Sequence, residues 1–122
     1  MLINLSNHPS ANWSAEQTAA AHKLYGEIVD LPFPVVEPSA DETQIAQLTD
    51  EYLSRVLQLV GGQSVTVHLM GEMTFCFTLV ARLQKRGILC VASTTRRVTI
   101  ETEPGIKQSI FRFVRFRNYP QL

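Results

Sequence analysis

Three short polar segments hold the side chains best suited to chemistry. They are Ser6-Asn7-His8-Pro9, Gly71-Glu72-Met73-Thr74 and Ser93-Thr94-Thr95-Arg96-Arg97. His8 is a candidate general acid or base, because imidazole exchanges protons near neutral pH; a lone loop histidine can equally be plain surface. Arg96 and Arg97 follow a run of hydroxyls, and the guanidinium fork matches phosphate oxygens. The alternative for them is a solvated start to a hairpin. Gly71 lets the backbone turn sharply and approach a ligand closely. The N–H groups of Glu72, Met73 and Thr74 are then free donors of a helix start, which favours a phosphate, and the Thr74 hydroxyl adds a donor. In the plainer reading Gly71 only makes the turn, and Glu72 is a first-turn acid that suits the helix dipole.

Other chemistries lack their residues. Neither G-x-G-x-x-G nor a P-loop is present. There is no G-x-S-x-G and no Cys–His pairing. No three His, Cys, Asp or Glu residues fall at metal-ligand spacing, so neither a metal nor a cofactor is expected. His22 in a helix and His68 in a strand read as structural. Trp13 either stacks on a base or staples the helix that follows it.

The elements that must position these segments can be read from periodicity. Leu2 to Leu5 is a strand. Ser14 to Gln17 is a capping box opening a helix over 15–25 that stops at Gly26. Glu27 to Leu31 is a second strand, ended by Pro32 and Pro34. Ser39 to Glu42 reads as a second capping box, followed by helical spacing of Ile45, Leu48, Tyr52, Val56 and Leu57 as far as Gly61-Gly62. Val65 to Met70 is the third strand, roughly Glu72 to Arg86 the third helix, and Ile88 to Ser93 the fourth strand. Two alternating runs about Pro104-Gly105 complete a hairpin, with a bulge expected near Phe113.

This order predicts an α/β fold: a Rossmann-like open parallel sheet of about four strands, three flanking helices and a C-terminal β-hairpin. The whole chain, 1–122, is one domain, with a βαβαβαβ core over 1–95 and the hairpin over 96–122. In such a sheet ligands bind beyond the carboxyl ends of the strands, where the strand order reverses. That rule selects the three polar segments as loops on one rim.

Composition narrows the partners. Eleven basic and eleven acidic residues cancel, so no global attraction to DNA or membrane is expected, although the basic C-terminal end could hold a small polyanion. The run "FRFVRFRNY" interleaves charge with aromatics, as single-strand binders do, or as a hairpin with one wet face does. Cys76 and Cys90 lie in apolar runs and read as buried reduced thiols, the pattern of a cytoplasmic protein. The N-terminus turns polar by Asn4 and does not read as a signal peptide. The longest apolar run, around 73–83, is too short to span a bilayer. The third helix is apolar on most of its circumference, which favours a homodimer covering its outer side.

"LINLSNHP" at the start and "HLMGEMTFCFTLVARLQKRGILCVASTTRR" later resemble the small stand-alone CRISPR-associated proteins of type III systems. These are similar to CARF sensor domains and include ring nucleases. The resemblance implies a homodimer whose paired rims receive a cyclic oligoadenylate, with cyclic tetra-adenylate expected. It implies metal-independent cleavage, in which a ribose 2′-hydroxyl attacks the adjacent phosphorus and leaves a 2′,3′-cyclic phosphate, switching off antiviral signalling. Carried onto this chain, Ser6, Asn7 and His8 would hold ribose and phosphate. Gly71, Glu72, Met73 and Thr74 would cradle a phosphate, and Thr94, Thr95 and Arg96 would close the pocket. His8 would be the acid or base and Arg96 the charge stabiliser. Such families often carry a catalytic Lys or Arg at strand ends, and here no Lys falls in the three segments. A sensor or sequestering module of the same fold, and an enzyme on another phosphorylated substrate, are the alternatives.

Overall fold

The computed structural model describes residues 1–122. The chain runs β1 (Leu2–Ser6), α1 (Ala15–Tyr25), β2 (Ile28–Asp30), α2 (Glu42–Val60), β3 (Thr66–Met70), α3 (Met73–Lys85), β4 (Leu89–Glu103) and β5 (Ile106–Asn118), with one 3-10 turn at Ser10–Asn12. The five strands form one sheet in the order β2-β1-β3-β4-β5. The first four are parallel, and β5 is antiparallel to β4. The expected α/β architecture, with its C-terminal hairpin, is the one observed.

Alternation along the strands divides the sheet into two faces. Ile3, Leu5, Val67, Leu69 and Cys90 face α2 and α3 in the main core. There Phe75 is fully buried and meets Phe33 and Tyr52 edge-on, with ring centroids 5.3 and 5.5 Å away. The opposite face packs Leu2, Val91 and Phe116 against Ala21 of α1. It is thinner, because one short helix must cover it.

Two local expectations change. The capping box of α2 is made by Asp41 and Gln44, each side chain bonded to the other's backbone N–H at 2.9 Å. Ser39 sits instead in a turn closed by Ala40 N–H on the Glu37 carbonyl, so the helix starts two residues later. The larger change is at β4. The expected fourth strand and the first arm of the hairpin are one continuous strand, so Ser93 to Arg97 is not a loop. The expected bulge is present: Thr94 pairs with Arg115 and Thr95 with Phe113, so Val114 is skipped. That extra residue in β5 absorbs the change of parity between Phe113 and Phe116.

Cys76 and Cys90 are free and buried, and burial pushes both thiols up to about 12. No helix is long and apolar enough to cross a membrane.

Candidate functional site

The strand order reverses between β1 and β3, since β1 leads outward to β2 and the chain then returns to β3. Their carboxyl ends lie together: Ser6 pairs with Met70, and Asn7 N–H bonds the Met70 carbonyl at 3.3 Å. Ser93 of β4 meets Met70 from the other side, its hydroxyl 3.1 Å from the sulfur. Residues of the first and third polar segments, with Met70 just before the second, therefore share one rim.

On the α1 side of that rim lies a polar cluster inside the sheet. Asn4 and His68 are 2 % exposed, and they are neighbours in register. The Asn4 amide nitrogen donates to Asp30 Oδ1 at 2.8 Å and to the His8 carbonyl at 2.9 Å. That fixes Asn4 Oδ1 as an acceptor, and it takes the His68 Nδ1 proton at 2.8 Å and the Ser6 hydroxyl at 2.8 Å. With its proton on Nδ1, neutral His68 presents the Nε2 lone pair to the Ser93 hydroxyl, 3.1 Å away. Every buried side-chain polar atom has a partner, as buried polar groups require.

The same cluster accounts for the opening motif. Asn4 Nδ2, Ser6 Oγ and Trp13 Nε1 all converge on the His8 carbonyl, at 2.9, 3.1 and 3.0 Å. Ser10 ties down Asp30 through its hydroxyl at 2.6 Å and its N–H at 3.1 Å. Burial pushes the Asp30 carboxyl up, but the hydrogen bonds from Ser10 and Asn4 outweigh it and hold the group below its ordinary value. Burial, with the charge of nearby His8 as a smaller cause, lowers His68 to about 4. Trp13 stands edge-on to His68, with centroids 5.3 Å apart. It staples the loop and walls the site.

Above the cluster is a groove of about 870 Å³ between the start of α1 and the β4–β5 ribbon. Its lining includes His8, Trp13, His68, Ser93, Thr95 and Phe113, with Phe111 and Arg112 on the ribbon side. It offers imidazole, hydroxyls and aromatic rings, a set suited to a sugar and a base together.

The expected site residues divide. Ser6, Asn7 and His8 reach the rim: Ser6 is buried, while Asn7 and His8 are exposed. Thr95 lies in the groove. Thr94 and Arg96 do not, because regular alternation in β4 sends them to the opposite side from Ser93 and Thr95. Gly71, Met73 and Thr74 line separate hollows along α3.

The helix start at Glu72 is already occupied. The Glu72 carboxylate accepts from Thr74 N–H at 3.1 Å, from Phe75 N–H at 2.8 Å and from the Thr74 hydroxyl at 2.7 Å. The Phe75 N–H and then the Thr74 hydroxyl hold Glu72 below its ordinary value. An anion cradle there is filled by the chain's own carboxylate. Gly71 has a packing reason: a Cβ on it would fall 2.3 Å from the Phe33 ring.

Asn4 and His68 were missed as site residues, and Ser93 was read only as part of the third polar segment. The signal was a polar residue in the middle of each of two apolar-rich strands, Asn4 in "LINLS" and His68 in "VTVHLM", which a two-sided sheet tolerates only where they find partners. His22 is structural, its Nδ1 bonded to the Gly26 carbonyl at 2.8 Å at the end of α1.

Fold and rim together define an α/β protein with a polar groove at the carboxyl ends of its parallel strands. A family model described as "Uncharacterized protein MJ1673 family" matches residues 1–117. The chain belongs to that family. No curated protein and no solved structure matches it.

Proposed function

We propose that the chain is a metal-independent ring nuclease that binds a cyclic oligoadenylate, cyclic tetra-adenylate first among them, and opens it by 2′-hydroxyl attack to a 2′,3′-cyclic phosphate. The supporting observation is the groove, where aromatic rings, hydroxyls and His8 come together at the strand rim. Rings suit adenine, and hydroxyls and imidazole suit ribose. Holding the 2′-oxygen in line with phosphorus supplies the main acceleration, and charge stabilisation on the phosphoryl oxygens supplies more. His8, exposed at the groove mouth, is the acid or base of this scheme. The charge partner expected at Arg96 is not carried over, since Arg96 and its cross-strand partner Arg112 share the face of the ribbon opposite to Thr95 and Phe113.

Pure protein incubated in EDTA with cyclic tri-, tetra- and hexa-adenylate, then chromatographed, is expected to convert one ring to linear products ending in 2′,3′-cyclic phosphate. Tight binding with the ring intact selects the sensor or sequestering function instead. Indifference to all three rings ends the nucleotide reading.

The active form in this proposal is a homodimer. Met73 and Phe77 are 81 % and 66 % exposed on the first turns of α3, at the rim end. They border an apolar hollow of about 320 Å³ shared with Val80, Tyr119 and Leu122. A twofold contact there would set two rims side by side. Sedimentation is expected to give twice the chain mass, and Phe77→Glu to give the single-chain mass. A wild-type monomer at micromolar concentration removes the dimer.

A further inference from the structure

The ladder between β3 and β4 stops beside the groove. Its last pair is His68 with Val91. The Leu69 carbonyl, next in line for the Ser93 amide, is taken by the Tyr119 hydroxyl at 2.6 Å. Ser93 N–H turns instead to the Met70 sulfur at 3.3 Å, a weak acceptor. The strands fork at Ser93, and its side chain is half-buried on the groove floor.

The direction of the Ser93 hydroxyl proton follows from the cluster behind it. Asp30 accepts from the Asn4 amide, so Asn4 Oδ1 must accept from His68 Nδ1–H, and His68 Nε2 must accept. The Ser93 proton has two acceptors in reach, this nitrogen and the Met70 thioether, and the imidazole nitrogen is the stronger. The proton therefore points inward, and the oxygen lone pairs face the groove. Such a hydroxyl accepts a hydrogen bond from a ligand but has no proton left to donate to a phosphate.

We propose that Ser93 Oγ is the specificity-determining acceptor of the groove, reading the 2′-hydroxyl of a ribonucleotide and rejecting ligands that lack that donor. The inference rests on the nucleotide function proposed above and names the ribose contact within it. In a 3′,5′-linked ring the 2′-hydroxyl is the one free hydroxyl on each sugar. Accepting its proton in a hydrogen bond also leaves the 2′-oxygen lone pairs free to face phosphorus, so Ser93 is a positioning residue for the attack. Asn4 and His68 act through it by holding its proton inward.

The test is binding of cyclic tetra-adenylate and of its 2′-deoxy and 2′-O-methyl counterparts, read by competition in the cold before turnover. Wild type is expected to prefer the ribose ring by at least about tenfold, as a site that leaves a polar group unpaired rejects the wrong ligand. Ser93→Ala is expected to bring all three within about twofold, the scale of a lost contact with nothing left unpaired. Ser93→Thr keeps the hydroxyl and the preference, which separates a ribose contact from a folding defect. Equal binding of the three rings by wild type, or a preference that survives Ser93→Ala, overturns the acceptor role and leaves the nucleotide function standing. Wild type that binds none of the rings ends that function and this inference with it.

Discussion

Asn4→Leu is expected to lower the free energy of unfolding by about 2 to 3 kcal/mol, the scale for stranding a buried polar group. The side chain is nearly inaccessible, and it is the acceptor for His68 Nδ1–H. Leucine fits the strand and adds apolar surface, so the loss comes from what is left behind. Ser6 can turn to the His8 carbonyl and Asp30 keeps Ser10, but His68 has no second acceptor on that nitrogen. The sign test is the double variant Asn4→Leu/His68→Leu. Replacing both partners by apolar groups removes the orphan, so the pair should recover at least half of the single loss. Urea unfolding of the three proteins reads this directly. A double variant as unstable as the sum of the singles would mean that the cluster does not act as one unit.

The second large effect is on acid stability. His68 lies at about 4 in the fold against an ordinary 6.5. As pH falls below 6.5 the unfolded chain takes up a proton that the folded chain refuses. Stability from this group is therefore complete above about pH 6.5 and drains away as pH falls toward 4. A shift of this size corresponds to about 3 kcal/mol. Chemical unfolding between about pH 7.5 and 4, the window of that titration, should show the loss in wild type. The Asn4→Leu/His68→Leu protein should show a flatter profile. A profile of equal slope in both would assign acid sensitivity to other groups.

The layered architecture was legible because its signals are local. Gly26, Gly61 and Pro32 punctuate the chain, and helical and strand periods rarely compete between them. Even the β5 bulge could be placed, since Phe113 and Phe116 stand in opposite parity. The reach of β4 was not legible, because "STTRR" carries the polar composition of a loop. It is a strand because β5 pairs with it for its whole length, a non-local cause. The same misreading sent Arg96 into the site. Gly71 and Glu72 failed differently: the short-range motif was right for a helix start, but the partner of Gly71 is Phe33, far back in the chain, and the partner of the helix donors is Glu72 itself. The polar cluster needed the pairing of β1 with β3, which brings Asn4 beside His68 across 64 positions.

The ribbon that walls the groove also ends the sheet. β5 is thirteen residues long and nothing covers its outer edge, while the other border, β2, is three residues and closes on proline. A long bare border is a template for stacking one molecule onto the next. Here it carries Lys107, Arg112, Arg115 and Arg117, so two such borders repel when they approach. The cationic tail thus acts as a solubility guard, one that weakens as salt rises. It opposes strand-by-strand growth along that border, where one molecule would otherwise extend the sheet of the next.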